Sequence, residues 1–171
     1  MANTLLGPNR IFGVYTATWN GVSIGDTTVD GFKLIYSVLE KKLSPTQTYG
    51  DTYIDGIFRG GNCRISFTLA EWVAGGKALL WPHTGGSGFD GTFTTVGKRI
   101  SGFSSALVLT AAAGTPAAAA GGPATLTSAY AKLASDTDID LLLGPDNRDI
   151  PIVMDLLPYN DGTYNRWFSV T

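Results

Sequence analysis

The side chains that could carry catalysis are few in this 171-residue chain. A serine–histidine–aspartate triad would have to use His83, the one histidine, which lies in Pro-His-Thr-Gly-Gly with no nucleophile motif beside it. Cys63, the one cysteine, lies on the apolar face of a predicted strand, where a thiol acts as a small, inert hydrophobic group. We therefore expect that the chain is not an enzyme and that it uses no cofactor.

Three other patterns resemble binding motifs but lack a required part. Residues 86–91 match G-x-G-x-x-G by letter, yet a loop precedes them and a strand-forming segment follows, so the helix that would face a pyrophosphate is missing. Asp136 to Asp140 resembles the start of a calcium loop, but leucine and asparagine occupy the positions that need glycine and glutamate. Asp51 and Asp55 are about 13 Å apart along a strand, which is too far for the carboxylate pair of a glycosidase. We expect no metal site.

The composition favours a β-rich protein that is buried against partner subunits. Only 15% of the residues are charged, 22 are glycine, and the formal net charge is −2. Few charges suit an interface core, and no basic patch is present to grip nucleic acid phosphates. A single cysteine excludes an intrachain disulfide.

The clearest periodic pattern is the alternation from Cys63 to Leu69, which predicts a half-buried strand. Asn20-Gly21 between two apolar runs predicts a tight hairpin turn. A helix is predicted over 71–81, with Trp72 and Trp81 in the core, and the segment 125–135 fits either helix or strand. Further strands are predicted over 12–18, 22–24, 31–39, 51–58, 92–95, 105–110, 139–143, 150–157 and 164–171.

These elements predict one domain over 1–171 with a mainly β fold. We expect an antiparallel β-sandwich or barrel with one short flanking helix and a long inter-strand loop. The polar segment 40–50 is the predicted long loop, and the Ala/Gly-rich segment 111–124 is a predicted peripheral loop because its small side chains bury little area.

Five segments, in order along the chain, together resemble the tail tube (major tail) protein of tailed bacteriophages. They are Tyr15–Gly25, Asp30–Leu34, Tyr49–Gly56, Arg59–Trp72 and Arg148–Tyr159. These segments are distributed along most of the chain, and the segment 111–124 departs from the resemblance.

The resemblance implies a structural subunit that assembles with copies of itself. Six subunits would close into a ring, their inner sheets would form one β-lined channel, and the rings would stack into a tube for genome delivery. The implied partners are the tail tip or baseplate, the tail terminator, and the tape-measure protein and phage DNA in the lumen, without sequence-specific binding and without a membrane. The implied location is the virion tail, assembled in the host cytoplasm.

The same resemblance assigns ring stacking to the loop 40–50 and to an N-terminal arm, residues 1–11. The contact candidates are Leu5, Leu6, Leu43, Pro45 and Tyr49. The polar faces of two strands are the candidates for the channel lining, namely Asp51, Asp55, Arg64, Ser66 and Thr68. Arg64 suits a DNA channel only if neighbouring carboxylates offset its charge. The alternative is that 41–50 is a mobile loop and 2–10 a frayed terminus.

Two other functions stay open at this point. The chain could be a virion or cell-surface β-sandwich that binds carbohydrate, with Tyr159, Tyr164 and Trp167 as a stacking platform. It could also be another phage structural part, such as a terminator or baseplate protein, or the tube of a phage-derived injection machine.

Overall fold

Asn20 and Gly21 form the turn of the first hairpin, as predicted. Their φ angles are +53° and +76°, the left-handed pair that a type I′ turn requires. The structure is a computed structural model, and it describes residues 14–43, 55–81, 96–112, 124–136, 138–139 and 149–171.

The described strands confirm a mainly β, antiparallel fold with one short α-helix. The strands are β1 Tyr15–Trp19, β2 Val22–Ser23, β3 Lys33–Lys42, β4 Gly56–Leu69, β5 Ser105–Ala111, β6 Thr125–Leu133, β7 Ile150–Leu156, β8 Tyr159–Asn160, β9 Asn165–Arg166 and β10 Ser169–Val170. The helix, α1, spans Ala74–Leu80, and a 3-10 helix spans Ile100–Phe103.

Eight of the strands form one sheet in the order β2-β1-β5-β6-β7-β4-β3, with β10 also paired to β6. β8 and β9 form a separate two-stranded sheet. The C-terminal segment is tied in as predicted, because Thr125 and Thr171 exchange two backbone hydrogen bonds and the Ser128 hydroxyl donates to the Trp167 carbonyl oxygen.

One face of the large sheet forms the core. The prediction for Cys63 to Leu69 is confirmed, since every second side chain from Cys63 is buried. The rest of the buried cluster comes from β1, β5, β6, β7, α1 and the chain after β2, namely Ala17, Trp19, Ile24, Leu79, Leu80, Leu107, Leu109, Ala131, Ile150, Ile152, Met154 and Leu156. The Trp19 indole also donates to the Ala131 carbonyl oxygen, 3.3 Å away.

The chain between β2 and β3 joins the two edges of the sheet. The Ile24 amide donates to the Ala17 carbonyl on β1, and Ile24 itself is fully buried. A few residues later, the Thr28 amide donates to the Thr68 carbonyl at the end of β4. The sheet therefore curls and closes at this end, in the manner of a barrel.

The helix is shorter than predicted, and Trp72 does not belong to the core. Residues 71–73 precede α1, and Trp72 is 44% exposed, with the Lys77 ammonium 5.6 Å from its ring centroid. Gly75 is required because the helix lies directly on β2, where a methyl group would collide with the Ser23 carbonyl oxygen.

Three predicted boundaries were wrong. The loop over 40–50 begins too early, because residues 40–42 continue β3 and pair with β4. The loop over 111–124 loses its first residue to β5, and the Ala111 amide donates to the Ala124 carbonyl. Ile139 is not in a strand, whereas the ambiguous segment 125–135 is strand β6 as far as Leu133. The predicted strand 92–95 and the predicted N-terminal segment 1–11 lie outside the described residues.

Candidate functional site

The hairpin of β3 and β4 extends beyond the rest of the sheet. β7 pairs with β4 only from Cys63 to Leu69, whereas β3 pairs with β4 down to Gly56. We call the two-stranded part beyond Cys63, residues 37–43 and 55–62, the arm. Arg59 is an extra residue in β4 where the register shifts, and such a bulge bends and twists a strand pair.

The arm exposes apolar side chains among its polar and charged ones. Five of them are between 47% and 63% exposed, namely Val38, Leu39, Leu43, Ile57 and Phe58. Cross-strand pairing places Leu39, Leu43 and Ile57 on one face of the arm and Val38 and Phe58 on the other. Grouped exposed apolar side chains on a small protein mark an interaction surface. Of the stacking candidates, Leu43 lies on this surface, while Leu5, Leu6, Pro45 and Tyr49 lie outside the described residues.

β3 is also an edge strand over its whole length. All ten of its residues are exposed, and among the described strands none lies on its outer side. Its lysines are confined to the two ends, so the run from Leu34 to Leu39 carries no charge. Charged side chains in the middle of an edge strand oppose pairing with another chain. Their absence leaves this edge suited to pair with a further strand.

The outer face of the sheet carries a row of paired charges. Lys132, Asp155 and Arg64 lie directly opposite one another on β6, β7 and β4. The Asp155 carboxylate accepts from the Lys132 ammonium at 2.7 Å and from the Arg64 guanidinium at 2.9 Å. Asp136 completes the row with a second ion pair to Arg64, also at 2.9 Å.

The electrostatics of this row follow from its contacts. The hydrogen bond from Arg64 lowers the pKa of Asp136 below its ordinary value, and the bond to Asp136 raises the pKa of Arg64 in turn. The lysine is the most buried member, with its side chain 9% exposed, so Asp155 is its compensating charge.

The structure brings together part of the predicted channel lining. Ser66 and Thr68 lie on the same outer face as Arg64 and are half-buried. Asp55 lies at the start of β4, about 30 Å along the strand from Arg64, and its carboxylate accepts from the Gly56 amide. Asp51 lies outside the described residues. Asp155 and Lys132 were not predicted as site residues, although each is the one charged residue of its strand.

An aromatic groove lies beside the arm. Its volume is about 650 Å³, and its walls include Phe58, Tyr159, Asn165, Arg166 and Trp167. Two of the three predicted stacking aromatics therefore share one site. Tyr164 does not line it, and the Arg166 guanidinium lies 5.2 Å from the Tyr164 ring centroid.

Within the described part of the chain, no cluster of three or more His, Cys, Asp or Glu side chains is arranged to hold a metal ion. Cys63 is buried, and burial raises the pKa of its thiol. Of the helices in that part, none has the length and hydrophobicity that a bilayer-spanning segment requires.

No model of a known protein family matches the chain, and no curated protein is detectably similar to it in sequence.

Proposed function

We propose that this protein is the structural subunit of a bacteriophage tail tube, without a catalytic role. Hexameric rings of it would stack into a tube that delivers the genome into the host. The proposal places it in the virion tail after assembly in the host cytoplasm, in contact with the tail tip or baseplate, the terminator and the tape-measure protein.

The observation that carries the proposal is the arm with its exposed edge strand. The arm leaves the body of the protein with apolar side chains on both of its strands, Leu39 and Phe58 among them, and β3 offers an uncharged edge beside it. Such an edge aggregates unless something covers it. Copies of the same chain would satisfy the edge in a closed ring, and contacts between unlike surfaces would extend the rings into an open-ended tube.

The charge row supports the choice of the outer face of β4 as the channel lining. DNA that must slide through a channel is retarded by unpaired cations, because each neutralised phosphate releases counterions and adds affinity. Here Arg64 and Lys132 are each paired with a carboxylate, from Asp136 or Asp155. These four groups together carry no net charge, which favours DNA passage without sequence-specific binding.

Electron microscopy of the purified protein tests the proposal. We expect rings or tubes from the unaltered chain, and folded, unpolymerised protein after deletion of Lys42–Thr48. A deletion of equal length in the Ala-rich segment, residues 113–119, is the control and should still polymerise. Tubes of normal length from the Lys42–Thr48 deletion would remove the assembly role of the loop 40–50.

The aromatic groove favours one second candidate, a carbohydrate-binding β-sandwich. Aromatic rings such as Trp167 and Tyr159 stack on sugar rings, and the amide of Asn165 could bond their hydroxyls. A monodisperse monomer that binds members of a glycan array would support this function. Ring formation without any glycan binding would exclude it.

A further inference from the structure

One edge of β4 is open beside the aromatic groove. β7 pairs with β4 only from Cys63 to Leu69, so β3 is the one described strand that pairs with β4 from Gly56 to Asn62. In an antiparallel pair, successive residues direct their backbone groups alternately toward one neighbour and the other. Half of the backbone N–H and C=O groups in this stretch therefore face away from β3, where no described strand lies. Such an edge can accept an additional strand.

The edge is open because the chain leaves β4 after β7. The Leu157 amide donates to the Tyr130 carbonyl oxygen on β6, 2.8 Å away, and Pro158 has no amide hydrogen with which to rejoin β4. A depression of about 190 Å³ lies where the chain departs. It shares Gly61, Pro158 and Trp167 with the aromatic groove, so the two form a continuous concave surface along the open edge.

The β4 side of the groove includes bare backbone. Gly60 has a φ angle of +108°, which favours glycine, and a methyl group on Gly61 would collide with the Ser37 carbonyl oxygen. The Trp167 ring also lies near that position, 3.4 Å from where the methyl carbon would be. Phe58, on the same face of β4 as Gly61, is 63% exposed. A peptide backbone can therefore approach β4 closely in the presence of two aromatic side chains.

The remaining wall, which the hairpin of β8 and β9 forms, presents hydrogen-bond donors. The Asn165 side-chain oxygen is occupied, because it accepts from the Asn160 side-chain amide at 3.0 Å. Asp161 accepts from Arg166 Nε at 2.6 Å, and a guanidinium has further N–H donors beside that one. Among the described residues, the Trp167 indole N–H has no partner. The wall therefore suits a ligand rich in carbonyl or carboxylate oxygens.

The charge of the groove favours an acidic ligand. Among its described lining residues, Arg166 is charged and none is a carboxylate. Arg59 lies between two lining residues, Phe58 and Gly60, and it is exposed, with no ion pair to another described residue. Glu40 lies opposite Phe58 on β3 but does not line the groove. Acidic side chains next to apolar ones would complement this surface.

We propose that the aromatic groove binds an extended segment of another protein, which adds as a strand to the open edge of β4 between Phe58 and Asn62. An apolar side chain of the segment would lie against Phe58 and Trp167, and an aspartate or glutamate carboxylate would meet Arg166. The inference does not depend on the tube function. A peptide fits better than a sugar, because a peptide supplies alternating N–H and C=O groups to the unpaired backbone of β4.

Fluorescence polarisation with a labelled peptide, Asp-Val-Tyr-Val-Asp, and the dilute full chain tests the site. Phe58→Ala should weaken binding about tenfold, because it removes an aromatic anchor. Tyr36→Ala is the matched control, since Tyr36 is 68% exposed on the same hairpin but does not line the groove. Both positions are exposed, so the fold should survive. Loss of binding in the Tyr36 variant alone would place the peptide on the outer edge of β3 and overturn the groove.

Backbone methylation of the peptide tests the added strand. Two versions, each N-methylated at alternate residues, should differ, because one blocks the N–H groups that face β4 and the other blocks those that face away. Equal binding of the two would overturn strand addition.

A charge variant tests the acidic preference. Arg166→Gln should weaken binding of the acidic peptide about tenfold and leave binding of Asn-Val-Tyr-Val-Asn unchanged, because the lost attraction is to a carboxylate. Lys98→Gln, an exposed position away from the groove, is the control. Equal losses for the two peptides would contradict the role of the charge.

The remaining outcomes separate this inference from the proposed functions. No binding at about 1 mM peptide would overturn it and leave the tube proposal standing. Glycan binding that Phe58→Ala abolishes, without peptide binding, would return the groove to the carbohydrate function. Inhibition of polymerisation by the peptide would identify the occupant as a second copy of the chain and overturn a foreign partner.

Discussion

Asp155 is the residue on which the outer face of the sheet depends. It accepts from Lys132 and Arg64 at once, across three neighbouring strands. Lys132 is the more demanding partner, because its side chain is nearly buried and its only other hydrogen bond described here goes to the Leu133 carbonyl oxygen. A buried ammonium that loses its counter-ion is costly, whereas an apolar side chain in its place is tolerated.

Asp155→Asn should therefore destabilise the protein by about 2–4 kcal/mol, measured by urea unfolding. Adding Lys132→Met to this variant should recover most of the loss, because the uncompensated charge is removed. Asp138→Asn, at an exposed position, is the control and should change stability by no more than about 0.5 kcal/mol. Equal stability of the Asp155 variant and its parent would show that the row carries no net stabilisation.

A second prediction at the residue scale concerns the stability of the protein at low pH. Because Arg64 lowers the pKa of Asp136 in the folded state, the stabilisation from this pair is complete above the ordinary aspartate pKa. It is lost as the pH falls through the lowered value. The stability difference between the parent and Asp136→Asn should thus disappear in acid, as followed by urea unfolding at several pH values. A difference that persists unchanged at low pH would contradict the assignment.

The sequence predicted Arg64 as a member of this row of charges but not the carboxylates that pair with it. Arg64 was identified on the outer face of its strand, together with the need for neighbouring carboxylates. Which carboxylates these are depends on the register of β4 against β7, and that register follows from long-range pairing that no local pattern encodes.

Among the secondary-structure elements, strong local sequence signals were sufficient to predict the structure, whereas weak ones were overridden by pairing between strands. The Asn20-Gly21 turn and the alternation from Cys63 were predictable because the local residue types determine the backbone conformation there. β6 was ambiguous because small and polar residues are buried in it, Ser128 for example. Residues 40–42 are polar and read as loop, but pairing with β4 keeps them extended.

The contact between α1 and β2 leads to a prediction about the stability of these elements. Gly75→Ala should destabilise the protein by about 1–3 kcal/mol, because the added methyl group meets the Ser23 carbonyl and overpacks the contact. This outcome opposes the intrinsic helix preference for alanine. Gly102→Ala is the control, since that position has open space and should be nearly neutral in thermal unfolding. A stabilised Gly75 variant would mean that the helix can move away from the strand.

In the whole molecule, the buried core and the proposed assembly surface occupy different parts of the same sheet. Closure by the chain around Ile24 completes the core at one end, without the arm. The arm adds exposed apolar surface at the other end and contributes nothing to the buried cluster. Changes in the arm should therefore alter association and leave the stability of the isolated subunit intact.

This separation predicts a melting temperature that depends on protein concentration. Association of the folded subunit alone, and not of the unfolded chain, stabilises the fold by about 2.7 kcal/mol when the concentration of free partner subunit is 100 times Kd. For a chain of this length, each kcal/mol raises the melting temperature by about 2–4 °C. Scanning calorimetry over a wide concentration range should show this rise for the unaltered chain and not for Leu43→Asp, whose change lies on the arm and outside the core. Because the variant should match the parent when both are dilute, a melting temperature that is low at every concentration would instead place Leu43 among the residues that stabilise the fold. A concentration-independent value for the unaltered chain would mean that its exposed edge and arm find no partner in another copy.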